Sequence, residues 1–168
     1  MYTVPPDQEH LSQGDILDAC PIFGLQVAGA VVDLEAEPVR WRERVIVLTQ
    51  ACDLAQTKTT KVLVALLHPA QTLIAKGVLI APAIRDQVRR GLVYGWYFLP
   101  AALAPIPLPE SVVDLHDLHT VPRAVLESLA TGGKRVCRLL PPYREHLAQH
   151  FAVTYMRIGL PAPYDTEP

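Results

Sequence analysis

The chain has 168 residues, of which 50% are apolar and 19% are charged, and this composition excludes general disorder and allows one domain with its own core. No apolar run reaches the roughly 18–20 residues of a membrane-spanning helix, so we expect no membrane partner. The net charge of −2 lacks the overall basic excess of a dedicated nucleic-acid-binding domain.

Two further features predict a cytoplasmic protein. The first residues, MYTVPPDQEH, contain neither the positive region nor the apolar region of a secretion signal. The three cysteines, Cys20, Cys52 and Cys137, are odd in number and widely spaced. That pattern is not typical of a disulfide framework, and a reducing compartment is expected.

Several short segments rich in β-branched or aromatic residues are predicted to be strands. The first three of these segments are nearly continuous apolar runs, which indicates strands buried on both faces. In chain order the predicted strands are 27–34, 44–50, 61–68, 91–99 and 111–118.

Helices are predicted mainly near the end of the chain. Segment 122–130 begins at Pro122 and stops at the Gly132–Gly133 pair, and segment 142–157 carries an apolar stripe of Leu147, Phe151 and Tyr155. Segment 82–90 is compatible with one or two helical turns. Strands followed by helices predict an α+β fold, with the strands closed into a small barrel or a strongly curved sheet.

The order of five short motifs carries a family resemblance. Gln13-Gly14-Asp15-Ile16 opens the series, strand 44–50 begins at Arg44, the pair Cys52–Asp53 follows it, and segments 63–68 and 110–121 close the series. In this order the motifs resemble the PemK/MazF family of toxin-like ribonucleases over about residues 11–130. The resemblance implies a single domain over 1–168, an SH3-like barrel of five to seven strands with one or two C-terminal helices.

The sequence departs from the family pattern at four places. Gln13 stands where the family has arginine, Val45 where it has proline, and His68 where threonine or serine is common. The block 134–161 has no family counterpart and is expected to be a C-terminal helical extension, followed by a loose tail at 162–168. The fold is therefore expected to persist even where the chemistry differs.

The resemblance implies a toxin or conflict-system effector that cleaves single-stranded RNA without metal or cofactor. The 2′-hydroxyl of the RNA would attack the phosphorus, which requires a base, an acid and a cation. Arg44 is the catalytic candidate for the cation and the acid, since a guanidinium binds phosphate through two hydrogen bonds. His68 is the catalytic candidate for proton transfer, because histidine titrates near neutrality. Each of the two residues can equally be a structural group at a strand end.

The remaining polar residues near the motifs are candidates for substrate binding. Loops that follow buried strands are common binding loops in small barrels. Cys52 is open to two interpretations, a nucleophile assisted by histidine or, more often, a structural thiol. The binding candidates are Gln13, Gln50, Cys52, Asp53, His116 and His119.

No metal site is predicted from the histidines. On a strand, His116 and His119 face opposite sides, so one ion cannot reach both without a bulge or turn. His146 and His150 lie four residues apart on a predicted helix, but they lack the glutamate of a zinc-protease motif, and a solvated helix face is the simpler interpretation.

Three functional hypotheses follow from the sequence. The first is the ribonuclease, acting as a homodimer with an antitoxin-like partner; the aromatic stretch 94–98 would supply either its apolar interface or core. The second is a catalytically inactive barrel that binds a protein partner, which the acidic pI of 6.3 and the departures from the family pattern favour. The third is a hydrolase that depends on Cys52 or on a metal.

Overall fold

The computed structural model describes residues 1–25, 27–28, 31–32, 35 and 37–156. Part of the predicted strand 27–34, the end of the predicted helix 142–157 and the expected tail at 162–168 lie outside the described residues. The strands are β1 (Tyr2–Thr3), β2 (Asp15–Gly24), β3 (Val27–Ala28), β4 (Val31–Val32), β5 (Val39–Val47), β6 (Lys61–Pro69), β7 (Trp96–Leu99), β8 (Ser111–Pro122) and β9 (Arg135–Leu139).

Seven strands form one antiparallel sheet in the order β1-β9-β2-β5-β6-β8-β7, and β3 and β4 form a separate two-stranded sheet. The helices are α1 (Ala51–Ala55), α2 (Ala70–Ala75), α3 (Ala81–Asp86), α4 (Arg123–Leu129) and α5 (Tyr143–Tyr155). One 3-10 turn spans Val88–Arg90. The α+β class is therefore confirmed, as are helical segments at 82–90, 122–130 and 142–157. None of the helices among the described residues has both the length and the apolar character needed to cross a membrane.

The sheet is not closed into the barrel that the sequence suggested. Its outer strands, β1 and β7, are not paired with each other in the described part of the chain. The sheet curves strongly enough to bring their neighbourhoods together, because the hydroxyl of Tyr2 donates a hydrogen bond to the carbonyl of Pro100 at 2.6 Å. Pro100 directly follows β7. The two ends of the sheet are thus joined by a side-chain hydrogen bond, whereas in a closed barrel they would be joined by backbone hydrogen bonds between strands.

Both faces of the central strands are buried, as their continuous apolar runs predict. In β5, Ile46 belongs to one core, and Val45 and Val47 belong to the core on the other face. The first core is covered by Leu147 of α5, and the second by Leu126 of α4. A third and smaller cluster lies between α2, α3 and β8.

The block 134–161 contributes a strand as well as the expected helix. β9 lies between β1 and β2, and Ile16 pairs with Cys137. Gly14, at the start of β2, has φ of +81°, and a Cβ atom there would come within 3.1 Å of Leu139. The close approach of β9 to the start of β2 therefore requires glycine at position 14.

Candidate functional site

Arg44 lies at the edge of the first core and is held by a carboxylate. Its Nε atom donates to Asp18 Oδ1 at 2.5 Å and its Nη2 atom donates to Asp18 Oδ2 at 2.9 Å, a two-point ion pair. A bulge in β2 between Leu17 and Cys20 brings Asp18 to this position, with Ala19 at φ of +57°. The cation that the ribonuclease hypothesis requires is thus already neutralised.

His68 lies on the other face of the sheet from Arg44. Side chains alternate along a strand, so Arg44 shares the face of Ile46 in the first core. His68 shares the face of Leu66 in the second core, and it pairs with Val112 of the third cluster. The structure therefore does not bring the two catalytic candidates together.

Four of the binding candidates do lie close together. The Nε2 atom of buried Gln13 donates to the carbonyl of Leu48 at 3.2 Å, two residues before Gln50. Gln50 precedes α1, and the Sγ atom of Cys52 lies 3.6 Å from its Oε1 atom and 3.9 Å from Asp53 Oδ1. Cys52 is the exposed one of the three cysteines, all of which are free thiols. This group is a polar surface around one exposed thiol.

The other two binding candidates lie apart. β8 carries a bulge between Asp114 and Leu118, so that the ladder with β6 skips the residues between them. His116 packs on Trp96 beside β7, whereas His119 bonds Asp117 at 2.8 Å and packs edge-on against Trp41 of β5. Among the described residues, no group of three or more histidine, cysteine, aspartate or glutamate side chains is placed to hold a metal ion.

A buried ion cluster was missed by the sequence analysis. Asp15 is fully buried and accepts hydrogen bonds from Arg138 at 2.5 and 3.0 Å, while Arg135 lies 3.5 Å from the same carboxylate. Arg135 and Arg138 also bond backbone carbonyls at Pro6, Glu9 and His10. The sequence signal that could have revealed this cluster is the pair of arginines within the apolar run of β9. The cluster fixes the N-terminal segment on β9.

The second pair of histidines is part of a packed helix interface. His150 is buried, and His146 Nδ1 lies 2.9 Å from the hydroxyl of Tyr97. Burial raises the pKa of Tyr97 to about 12. Burial and the neighbouring His146 lower the pKa of His150, against an opposing effect from backbone contacts at Val93 and Trp96. His150 is therefore part of a contact between α5 and β7 where a solvated helix face was expected, whereas His146 is exposed.

Two exposed aromatic side chains and two exposed arginines lie on one pair of neighbouring strands, β2 and β5. We call residues 20–24 of β2 and 39–43 of β5 the β2–β5 arm. Phe23 is 59% exposed and Trp41 is 36% exposed, and the guanidinium of Arg40 lies 5.7 Å above the ring of Phe23. Arg42 is also exposed. The alternating run VRWRER was the sequence signal for this exposed surface, and only Arg44 in it was predicted to have a function.

Comparison with models of known protein families and with curated proteins found no match.

Proposed function

We propose that this chain is a protein-binding domain that holds a partner on the β2–β5 arm and does not cleave RNA. The observation that carries the proposal is that the arm exposes apolar side chains on both of its faces, Phe23 on one face and Trp41 with Val39, which is 41% exposed, on the other. Clustered exposed apolar side chains mark interaction sites, and aromatic side chains and arginine are the residue types enriched in binding hot spots.

The state of the catalytic candidates supports the same proposal. Arg44 is bound by Asp18, and His68 lies on the opposite face, so neither supplies the other with a partner for phosphodiester cleavage. We also propose a relationship to the PemK/MazF family, with its SH3-like architecture, and a cytoplasmic location. We propose further that two copies of the chain form a dimer, which a measurement of the molecular mass in solution would test. These proposals are consistent with a divergent family member that has kept the family fold and lost the ribonuclease activity.

The experiment compares partner retention by a double variant of the arm and a single-substitution control. The chain is co-expressed with the products of neighbouring genes and purified through a tag. We expect one of these products to co-purify with the wild type and to be lost with Phe23→Ala/Trp41→Ala. The control is Leu103→Ala, because Leu103 is 88% exposed but lies in the loop between β7 and β8. Retention of the partner by the arm variant would contradict the proposal.

RNA cleavage is the second candidate, since one observation favours it. Asp18, the partner of Arg44, lines a cleft of about 410 Å³ that Lys134 also lines, so a phosphate entering there would meet the Lys134 cation and a carboxylate that can act as base. Wild type and Arg44→Ala are incubated with mixed single-stranded RNA in EDTA. Cuts with cyclic-phosphate ends that disappear in Arg44→Ala would establish the ribonuclease and overturn the binding proposal.

A further inference from the structure

A cleft runs between the β2–β5 arm and α4, and we call it the arm–α4 cleft. It consists of two adjoining hollows that share Pro21 and Val125. The first has a volume of about 170 Å³ and mostly apolar walls, which include Ile22 and Val121, with His119 and Thr120 as the polar lining residues. This is below the roughly 300 Å³ of a typical small-molecule site, so the hollow suits a single apolar side chain better than a cofactor.

The second hollow adds positive charge. Its volume is about 370 Å³, and Arg40 and Arg42 line it together with Ser128 and Leu129 of α4. Neither hollow has a carboxylate in its walls. None of the ion pairs between described residues involves Arg40 or Arg42. The cleft is therefore an apolar anchor site beside two exposed cations.

Glu43, next to Arg42 in β5, lies on the opposite face of the strand from Arg40 and Arg42, and two further carboxylates, on α4 and β8, are engaged elsewhere. Glu127 of α4 accepts a hydrogen bond from Arg123 at 2.7 Å, and Asp117 is bonded to His119. The two arginines thus keep their charge available for a ligand.

We propose that the arm–α4 cleft binds an acidic, extended segment of a protein partner, with one apolar side chain of the segment in the first hollow and its carboxylates on Arg40 and Arg42. This inference rests on the proposed function, because it names the chemistry of the partner that the arm would hold. Arginine binds carboxylates through two parallel hydrogen bonds, so the two guanidinium groups can select acidic residues on either side of the anchor.

The observations favour a peptide over single-stranded RNA. Phe23 and Trp41 offer rings on which bases can stack, but the polar side chains of the first hollow are only His119, which is already bonded to Asp117, and Thr120, and these are few groups to read the edge of a base. Two arginines neutralise few phosphates, and the whole chain carries a net charge of −2. A short acidic peptide needs only these two cations.

The test uses a phage-displayed library of random dodecapeptides, selected on the full chain. We expect enrichment of an apolar or aromatic residue flanked by aspartate or glutamate. A labelled peptide from the selection should bind Arg40→Glu/Arg42→Glu at least about tenfold more weakly, a change of about 1.4 kcal/mol. It should also bind Val125→Glu more weakly, because the new carboxylate enters the shared wall. Binding to the wild type should weaken as salt is added.

The control carries the same change of charge elsewhere. Lys58 and Lys76 are exposed, and neither lines the cleft, so Lys58→Glu/Lys76→Glu should keep the wild-type affinity. Selected peptides without acidic residues, or equal binding to both double variants, would overturn the cleft assignment. A partner that still depends on Phe23 and Trp41 would in that case leave the proposed function intact.

Two further outcomes have clear meanings. If no peptide is enriched on the wild type over Val125→Glu, the cleft is not a peptide site and the inference fails. If a labelled single-stranded RNA binds the wild type and is lost with Arg40→Glu/Arg42→Glu but not with the lysine control, the cleft is assigned to RNA. Cleavage of that RNA would overturn the proposed function as well.

Discussion

Asp15 is the residue on which most of the buried charge depends. Its carboxylate is fully buried, and it faces Arg135 and Arg138, whose side chains are 1% and 12% exposed. The backbone amide of Ser12 adds a hydrogen bond at 3.0 Å. A buried guanidinium is tolerated only when it is paired, and Asp15 is the buried carboxylate that pairs with both arginines, while Glu9 adds a more exposed partner for Arg138.

Replacing Asp15 with asparagine should strongly destabilise the fold. The change keeps the size of the side chain but leaves two poorly exposed arginines without their main counter-charge, and we expect the free energy of unfolding to fall by about 3–5 kcal/mol. Urea denaturation measures it. Asp86→Asn is the control, because Asp86 and Arg85 form an exposed pair, and it should change little. Equal effects of the two variants would contradict this account of Asp15.

Individual residue roles were the least predictable from the sequence. Arg44 and His68 were chosen as a pair by order along the chain, but their faces depend on strand register, which the sequence does not reveal. The partner of Arg44 depends on a bulge in β2, where Asp18 lies beside an alanine with positive φ. In contrast, the polar group around Gln50, Cys52 and Asp53 was predictable, since its members are adjacent in the chain.

At the scale of the element, α5 packs on β7 through a buried histidine. His150 is buried against the ring of Tyr97, with ring centroids 5.4 Å apart, and its Nε2 atom has no hydrogen-bond partner among the described residues. The lowered pKa of His150 means that the unfolded chain binds a proton at this residue more readily than the folded chain does. Docking of α5 therefore favours the neutral imidazole.

The stability of the fold should decrease as the pH falls through about 6.5, the ordinary pKa of histidine in an unfolded chain. Above that pH the imidazole of His150 is neutral in both the folded and the unfolded chain, so its titration does not change the free energy of unfolding. Below it, protonation stabilises the unfolded state first. His150→Leu should lose less stability between pH 8 and pH 5 than the wild type, as measured by urea denaturation at each pH. His10→Leu, at an exposed histidine, should keep the wild-type pH dependence.

The elements divide clearly into those the sequence predicted and those it did not. β5, β6 and β8 were predicted because continuous apolar runs select strands buried on both faces. β2 was missed because Asp15, Asp18 and Pro21 interrupt its apolar pattern, and β9 because two of its five residues are arginines. Their polar residues are accommodated by tertiary ion pairs, which local patterns do not show.

For the whole molecule, the sequence indicated a curved sheet but not how its ends meet. Closure of a sheet depends on tilt and register summed over all strands. Here β1 has only two residues and β7 has four, so little backbone is available for a ladder between the two ends. The ends are instead joined through Tyr2, which packs against the first core and bonds Pro100.

Tyr2→Phe should show how much this contact contributes. The change keeps the ring and removes the hydrogen bond, so the free energy of unfolding should fall by about 0.5–1.5 kcal/mol. Tyr143→Phe is the control, since Tyr143 is 42% exposed and its hydroxyl makes no hydrogen bond to the described residues. An effect of Tyr2→Phe no larger than that of Tyr143→Phe would mean that packing alone joins the two ends.

The burial of Tyr2 should also affect how the free energy of unfolding changes at alkaline pH. Burial raises the pKa of Tyr2 and of Tyr97 above the ordinary value of 10. As the pH rises above 10, the unfolded chain loses these protons first, and the fold is destabilised. Tyr2→Phe removes one of the two groups, so the variant should lose less stability than the wild type between pH 9 and pH 11. An unchanged loss in denaturation experiments would mean that Tyr2 does not contribute to the alkaline sensitivity, which would then lie at Tyr97 and at Cys20 and Cys137, whose thiol pKa values burial also raises.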